Sequence, residues 1–286
     1  MLVNTLSEFR DFLHAQLCYQ VFITPIHLPI EKEYRDFARR ACEYFTEIRD
    51  DVINVESPRH HVIHHFEQSQ NPQAKKILIT HGWMSRAAYM VRLIRALHQE
   101  GYEVYALDFP AHGEAKGVQL TWMDAVTILQ QVMNDYGPFH GVIGHSFGGS
   151  MLLNTLNLAS QFQEWKISQE PKRVVLVASP TRMRTPVSKL ARRLKLSGKG
   201  LLLLRGLFQQ HAIIDIKNLD FRHYINRSTT PFLCIHGEKD DSIMPYESSI
   251  FCQHYPHAML AMLPGADHIS VLMDERVEKM VCQFLI

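Results

Sequence analysis

From about residue 51 the sequence alternates short apolar runs with segments of helical period, and few folds accept that rhythm. The runs KKILITHG (75–82), YEVYALDF (102–109), RVVLVASP (173–180) and PFLCIHGEKD (231–240) hold apolar residues consecutively rather than alternately. A strand that is apolar on both sides must be covered on both sides, which calls for a mostly parallel sheet between layers of helices. The segments between the runs supply those helices. After ILITHG, for example, Met90, Leu93, Ile94 and Leu97 recur at three- and four-residue steps. TWMDAVTILQQVMNDYG, FHGVIGHS and FGGSMLLNTLNLAS repeat the unit, and AMLAMLPGADH (258–268) precedes a final helix over Asp274 to Ile286. The expected fold class is α/β.

The remaining segments divide the chain. Residues 1–50 read as a helical arm: Leu2, Leu6, Phe9, Leu13 and Leu17 form one apolar stripe, and Tyr34, Phe37, Ala41, Tyr44 and Ile48 a second. Thr24-Pro25 and Leu28-Pro29 break the chain between them, and stripes of this period are expected to pack on the core. Residues 51–180 and 229–286 make the α/β core, and the mostly helical stretch 181–228 lies where an inserted lid would. Composition excludes other classes. With 46% hydrophobic residues and a net charge of +1, the chain is neither disordered nor a polycation that coats nucleic acid. Cys18, Cys42, Cys234, Cys252 and Cys282 are widely spaced without a CxxC pair, which argues against a disulfide framework or zinc site. The start, MLVNTLSEFRDF, is acidic where a signal peptide is basic, and no run approaches the roughly 18 apolar residues of a membrane span. A soluble, cytoplasmic protein is expected.

GHSFGG (144–149) falls where the Phe139 to Gly144 strand turns into a helix, at the sheet edge where sites of parallel sheets form. A sharp strand-to-helix turn exposes the hydroxyl of Ser146, and the positions two before and two after must be small because the two arms converge. Gly144 and Gly148 meet that demand. The bland reading is a glycine-rich loop packing helix on strand; the strand before and the helix after favour the elbow. Neither this loop nor SGKG (197–200) has the phosphate-binding GxxxxGK[ST] spacing.

A serine hydroxyl is a poor nucleophile near neutral pH, so it needs a base and a carboxylate that orients the base. His268, in GADH at the end of the last strand, lies on the same sheet edge as Ser146. His81 and His145 lie there too, but belong to turns where backbone geometry is the demand, and His112 reads as structural. For the acid, IHGEKDDSIMP after the Pro231 to His236 strand offers Asp240 and Asp241. The loop after Arg173 to Ser179 has no carboxylate, and Asp108 precedes Ser146 and is expected to stabilise its own turn. An oxyanion needs donors fixed before reaction, and backbone amides serve. Phe147 supplies one and Trp83, with Met84 as fallback, the other.

With these residues in hand, the chain resembles the α/β-hydrolases. The matching stretches are HGW (81–83), LDFPAHG (107–113), GHSFGG, HGEKDDSIMP (236–245) and PGADH (264–268), in family order. The resemblance spans roughly residues 51–286, and the arm loosely resembles that of poorly characterised bacterial members. It implies an eight-stranded sheet, an acyl-enzyme mechanism and no cofactor. Two departures stand out: Ala111 occupies a usual glycine position, and Gly237 to Pro245 is one residue longer than usual. Counting forward from Gly237 by the family's interval gives Asp240, and counting back from Pro245 gives Asp241. The strand end is the better ruler, so Asp240 ranks first and Asp241 second.

Three readings complete the sequence. RHHVIHHF (59–66) suggests metal, but alternate strand residues face opposite ways and no carboxylate or cysteine completes a set, so no metal is expected. The lid carries Arg182, Arg184, Lys189, Arg192, Arg193, Lys195, Lys199 and Arg205 before its first acid, Asp215. Such a run is usually a solvated face; it also leaves open an anionic or lipid-like substrate, or peripheral contact with a membrane. The function expected is a serine hydrolase acting on a small-molecule ester or thioester. The alternative is an inactive hydrolase-like module that binds an acyl ligand or a protein partner.

Overall fold

A computed structural model of the chain describes residues 6–26, 29–182, 184–211 and 221–286. Eight strands form one sheet: β1 (Asp51–Val55), β2 (His61–Phe66), β3 (Lys76–Thr80), β4 (Glu103–Asp108), β5 (Phe139–His145), β6 (Arg173–Val177), β7 (Phe232–Gly237) and β8 (Ala258–Leu263). They lie in the order β1-β2-β4-β3-β5-β6-β7-β8. The β1–β2 and β2–β4 pairings are antiparallel, and every later pairing is parallel. The carboxyl ends of β3 to β8 therefore share one edge, which gathers the loops that follow them.

Each face of the sheet carries its own core. Alternation within one strand divides the residues: Leu78, Val142, Val174 and Leu176 enter one core, while Ile77, Ile79, Ile143 and Val175 enter the other. Fully burying one such side chain is worth about 1.5–3 kcal/mol. The consecutive apolar runs in the sequence are the trace of this two-sided burial.

The arm consists of α1 (Leu6–Ile23) and α2 (Arg35–Ile48). Along the core run α3 (Val91–Gln99), α4 (Trp122–Asp135) and α5 (Phe147–Ala159). Between β6 and β7 come α6 (Arg184–Arg193), α7 (Gly198–His211) and α8 (Arg222–Ile225); α9 (Tyr246–His254) and α10 (Glu275–Leu285) finish the chain. Among the described residues, no helix is long and apolar enough to cross a membrane. Residues 212–220 of the expected lid, including Asp215, and Leu2 of the first stripe lie outside the described residues.

The stripe on α1 departs from expectation. Leu6 is 90% exposed and Leu17 59%, with Phe9 and Leu13 also exposed, whereas Asp11, Ala15, Cys18, Tyr19 and Ile23 are buried. The partner of α1 is α7, which docks on the side that carries Asp11, Tyr19 and Phe22. Phe208 of α7 meets Tyr19 and Phe22 edge-on, with ring centroids 5.1 and 4.8 Å apart. Polar ties fix the register: Ser197 donates to Asp11 at 3.0 Å, and Lys199 pairs with Glu8. The apolar stripe of Leu6, Phe9, Leu13 and Leu17 is left facing outward.

Candidate active site

Ser146 stands between the last residue of β5 and the first of α5, with φ 51° and ψ −117°. A non-glycine residue held there costs on the order of 1–3 kcal/mol, which the surroundings must over-determine. They do so through hydrogen bonds on both sides: the Ser146 amide donates to the Val177 carbonyl at 2.9 Å, and its carbonyl accepts from Ser150 at 3.1 Å. Close approach explains the flanking glycines. A Cβ on Gly144 would stand 2.3 Å from the Gly149 Cα, and one on Gly148 2.5 Å from the His81 carbonyl oxygen.

The loops after β7 and β8 bring Asp240 and His268 to this turn. His268 Nε2 lies 2.9 Å from Ser146 Oγ, and His268 Nδ1 lies 2.7 Å from Asp240 Oδ2. The second oxygen of Asp240 accepts from the backbone amides of Ser242 at 2.9 Å and Ile243 at 2.8 Å. Burial opposes ionisation of Asp240, but the His236 and His268 hydrogen bonds and the Ile243 amide outweigh it and hold the carboxyl well below its usual range. In this arrangement Nδ1–H donates to the carboxylate, leaving the Nε2 lone pair free to accept the serine proton. Asp241, by contrast, faces solvent, and its backbone carbonyl accepts from Lys189 at 2.9 Å.

Sequence reasoning overlooked His236. Its Nε2 lies 3.2 Å from Asp240 Oδ2 and 2.8 Å from the Ile243 carbonyl, and its Nδ1 2.7 Å from Ser248 Oγ. The four-residue interval between His236 and Asp240 across the strand end was the available signal. Trp83 and Phe147 flank Ser146, their rings 5.2 Å apart. Among the described residues, neither backbone amide donates to a backbone carbonyl.

His145, His81, His61, His64 and His65 have structural partners. His145 Nε2 lies 3.0 Å from the His268 carbonyl, and burial, with His268 nearby, pushes its pKa down to about 3. His145 is therefore neutral at any ordinary pH and donates to that carbonyl. Burial likewise lowers the pKa of His81. Its Nε2 accepts from the Phe109 amide at 3.2 Å, so Nδ1 carries the proton and donates to the Gly82 carbonyl at 2.7 Å. In RHHVIHHF, His64 reaches Asp108, His65 reaches Glu103, and His61 lies against the Arg59 carbonyl. Among the described residues, no group of three or more potential ligands could hold a metal. Ala111, at the usual glycine position, takes φ 61°.

Residues 77–281 match the family model described as the alpha/beta hydrolase family. The chain belongs to the alpha/beta hydrolase family. Solved structures agree on the fold of this hydrolase. Est1E from Butyrivibrio proteoclasticus, solved with ferulic acid bound, is 18% identical, with a TM-score of 0.60 over 82% of this chain and 99% of its own. The Pyrococcus furiosus esterase Pf2001 is 20% identical, with a TM-score of 0.59 over 92% of this chain and 98% of its own. No curated protein sequence matches the chain.

Ser146 and His268 of the hydrolase open onto a cavity of about 260 Å³. The core supplies Trp83, Tyr89 and Leu272 to its lining, and the arm supplies Ile30, Tyr34 and Phe37. Among the described residues, none of the arginines or lysines between β6 and β7 lines it. Three of them are engaged elsewhere: Arg182 with Glu247, Lys189 with the Asp241 and Ser242 carbonyls, and Lys199 with Glu8. A depression of about 380 Å³ beside Asp274 and Arg276 holds no nucleophile beyond Ser270, whose hydroxyl accepts from the Asp267 amide.

Proposed function

We propose that this hydrolase cleaves a carboxylic ester or thioester through a covalent acyl-enzyme. The observation that supports this most directly is the unbroken hydrogen-bonded series from Asp240 through His268 to Ser146, opening onto an apolar cavity. Ser146 Oγ attacks the carbonyl carbon while His268 Nε2 takes its proton. The negative charge on the carbonyl oxygen is met by the amides of Phe147 and Trp83, which need no reorganisation at the moment of reaction. As the tetrahedral intermediate collapses, His268 returns the proton to the leaving alcohol or thiol. A water molecule then repeats the sequence on the acyl-serine, releasing the acid and restoring Ser146. Asp240 keeps its negative charge throughout, fixing the tautomer and stabilising the imidazolium. Five free cysteines support a reducing, cytoplasmic setting.

The test is Ser146→Ala, assayed with p-nitrophenyl and CoA esters of varied acyl length and with a fluorophosphonate that labels activated serines. Wild type should turn over and be labelled at Ser146, and the variant should remain folded while losing about 10⁶ in kcat. Wild-type turnover in the variant would refute the assignment. A wild-type chain that neither turns over nor labels would make it the inactive acyl- or protein-binding module instead.

A further inference from the structure

The family match begins at residue 77, so the arm lies outside it, yet the arm closes one side of the site. The segment between Pro29 and Ala38, which leads into α2 and its first turn, contributes six residues to the cavity lining. Its position is fixed at both ends of the site. Tyr34 donates from its hydroxyl to Asp267 Oδ2 at 2.8 Å, and Asp267 immediately precedes His268. The other oxygen of Asp267 accepts from the Ile269 and Ser270 amides at 2.9 and 2.8 Å, so the tie grips the loop that carries the histidine. On the other flank, Phe37 packs near Tyr89 with ring centroids 6.3 Å apart.

Size and charge follow from this wall. An apolar cavity of about 150 Å³ takes one benzene, or about 25 Å³ per non-hydrogen atom. At that density, 260 Å³ holds about ten such atoms. A long fatty chain would have to leave the cavity. Among the described residues lining it, Glu31 of the arm is the one carboxylate, and neither lysine nor arginine contributes. An anionic group would meet that carboxylate without a counter-charge.

We propose that residues 29–38 are the specificity wall of the site, selecting an uncharged, compact apolar group beside the scissile carbonyl. The proposal rests on the serine-hydrolase reading and adds the substrate class to it. The group sits either on the acyl side or on the alcohol side of the bond.

The experiment measures kcat/KM on the full-length chain with two ester series: p-nitrophenyl esters of lengthening acyl chain, and acetates of lengthening alcohol. In the series that enters the cavity, kcat/KM should rise about fourfold per added methylene until the space is filled, then fall. Ile30→Trp should move that optimum to shorter chains and Phe37→Ala to longer ones. The series in which the optimum moves identifies the side of the bond. Glu31→Lys should raise turnover of mono-p-nitrophenyl succinate relative to p-nitrophenyl butyrate by roughly two- to fivefold, because the carboxylate is exposed. About 1 M salt should erase that gain. The same optimum in wild type, Ile30→Trp and Phe37→Ala in both series, with fluorophosphonate labelling of Ser146 intact, would overturn the proposal. Absence of labelling in wild type would instead overturn the hydrolase reading on which it stands.

Discussion

Replacing Asp240 by asparagine preserves shape and removes charge, and the surrounding donors dictate how the amide must sit. Oδ1 accepts two backbone N–H groups, from Ser242 and Ile243, so the amide oxygen has to occupy that position. The NH₂ is then forced to the place of Oδ2, 2.7 Å from His268 Nδ1. A donor there requires Nδ1 to accept, which moves the imidazole proton to Nε2, facing Ser146. The base is lost without any change of fold. In a serine protease the same exchange costs about 10⁴ in kcat, or about 5.4 kcal/mol of barrier, and a loss of that order is expected here. Asp241→Asn is the control: its side chain is exposed, so the change should cost less than about tenfold. The assay is kcat on one good ester for both variants, alongside urea unfolding. Unfolding adds a sign test. The folded carboxyl of Asp240 is depressed, so its contribution to stability is present above the unfolded value of about 3.9 and is lost as pH falls through the folded one. The Asp240→Asn deficit should accordingly be full at neutral pH and shrink below about pH 4. A larger kinetic loss in Asp241→Asn than in Asp240→Asn would refute the reasoning from hydrogen-bond geometry.

Gly148→Ala should destabilise the fold by about 1–3 kcal/mol and slow fluorophosphonate labelling, because the new methyl must displace the His81 carbonyl, two residues before Trp83. Near-normal labelling and stability would show that the elbow has slack the distances deny. Glu247→Ala should lower stability by about 2–3 kcal/mol in urea unfolding, since this fully buried carboxylate accepts from Arg182, Thr181 and Thr185 and leaves those donors unpaired. An unchanged midpoint would mean that the start of the inserted helices is held by packing alone.

The legible part of the sequence was what a single element dictates. Consecutive apolar residues such as Ile77, Leu78 and Ile79 announced a strand covered on two sides, and Gly144-x-Ser146-x-Gly148 announced a turn with no room for side chains. The illegible part depended on which distant partner arrives. The α1 stripe is apolar at the correct period, yet α7 docks against the other side, where Phe208 meets Tyr19 and Phe22 and Ser197 meets Asp11. Ile30, Tyr34 and Phe37 carry no motif, and their place in the cavity wall is a consequence of tertiary packing alone. The basic run between β6 and β7 reads as a solvated face that leaves an anionic substrate open, and which of its members are free depends on distant partners: Arg182 pairs with Glu247, Lys189 donates to the Asp241 and Ser242 carbonyls, and Lys199 pairs with Glu8.

Asp108 shows why a buried carboxylate at the same sheet edge is not interchangeable with Asp240. Its oxygens accept from the Ala87 amide at 2.7 Å, the Glu114 amide at 2.9 Å and His64 Nε2 at 3.0 Å. Burial opposes its charge, and those hydrogen bonds together with the nearby histidines restore it, so the carboxyl stays below its usual range. Arg49 continues the chain outward, donating to His64 Nδ1 at 3.1 Å and pairing with Glu114. With Nδ1 accepting from Arg49, His64 carries its proton on Nε2 and donates it in a hydrogen bond to Asp108, so His64 has no ring lone pair left to act as a base. What remains for Asp108 is to tie β2, β4 and the turn before α3 into one unit around His81. That unit holds the Gly82 carbonyl through His81 Nδ1, which fixes the backbone from which the Trp83 amide projects. Asp240 differs in one respect, on which the proposed chemistry rests: one of its oxygens faces a histidine whose other nitrogen lies against a serine.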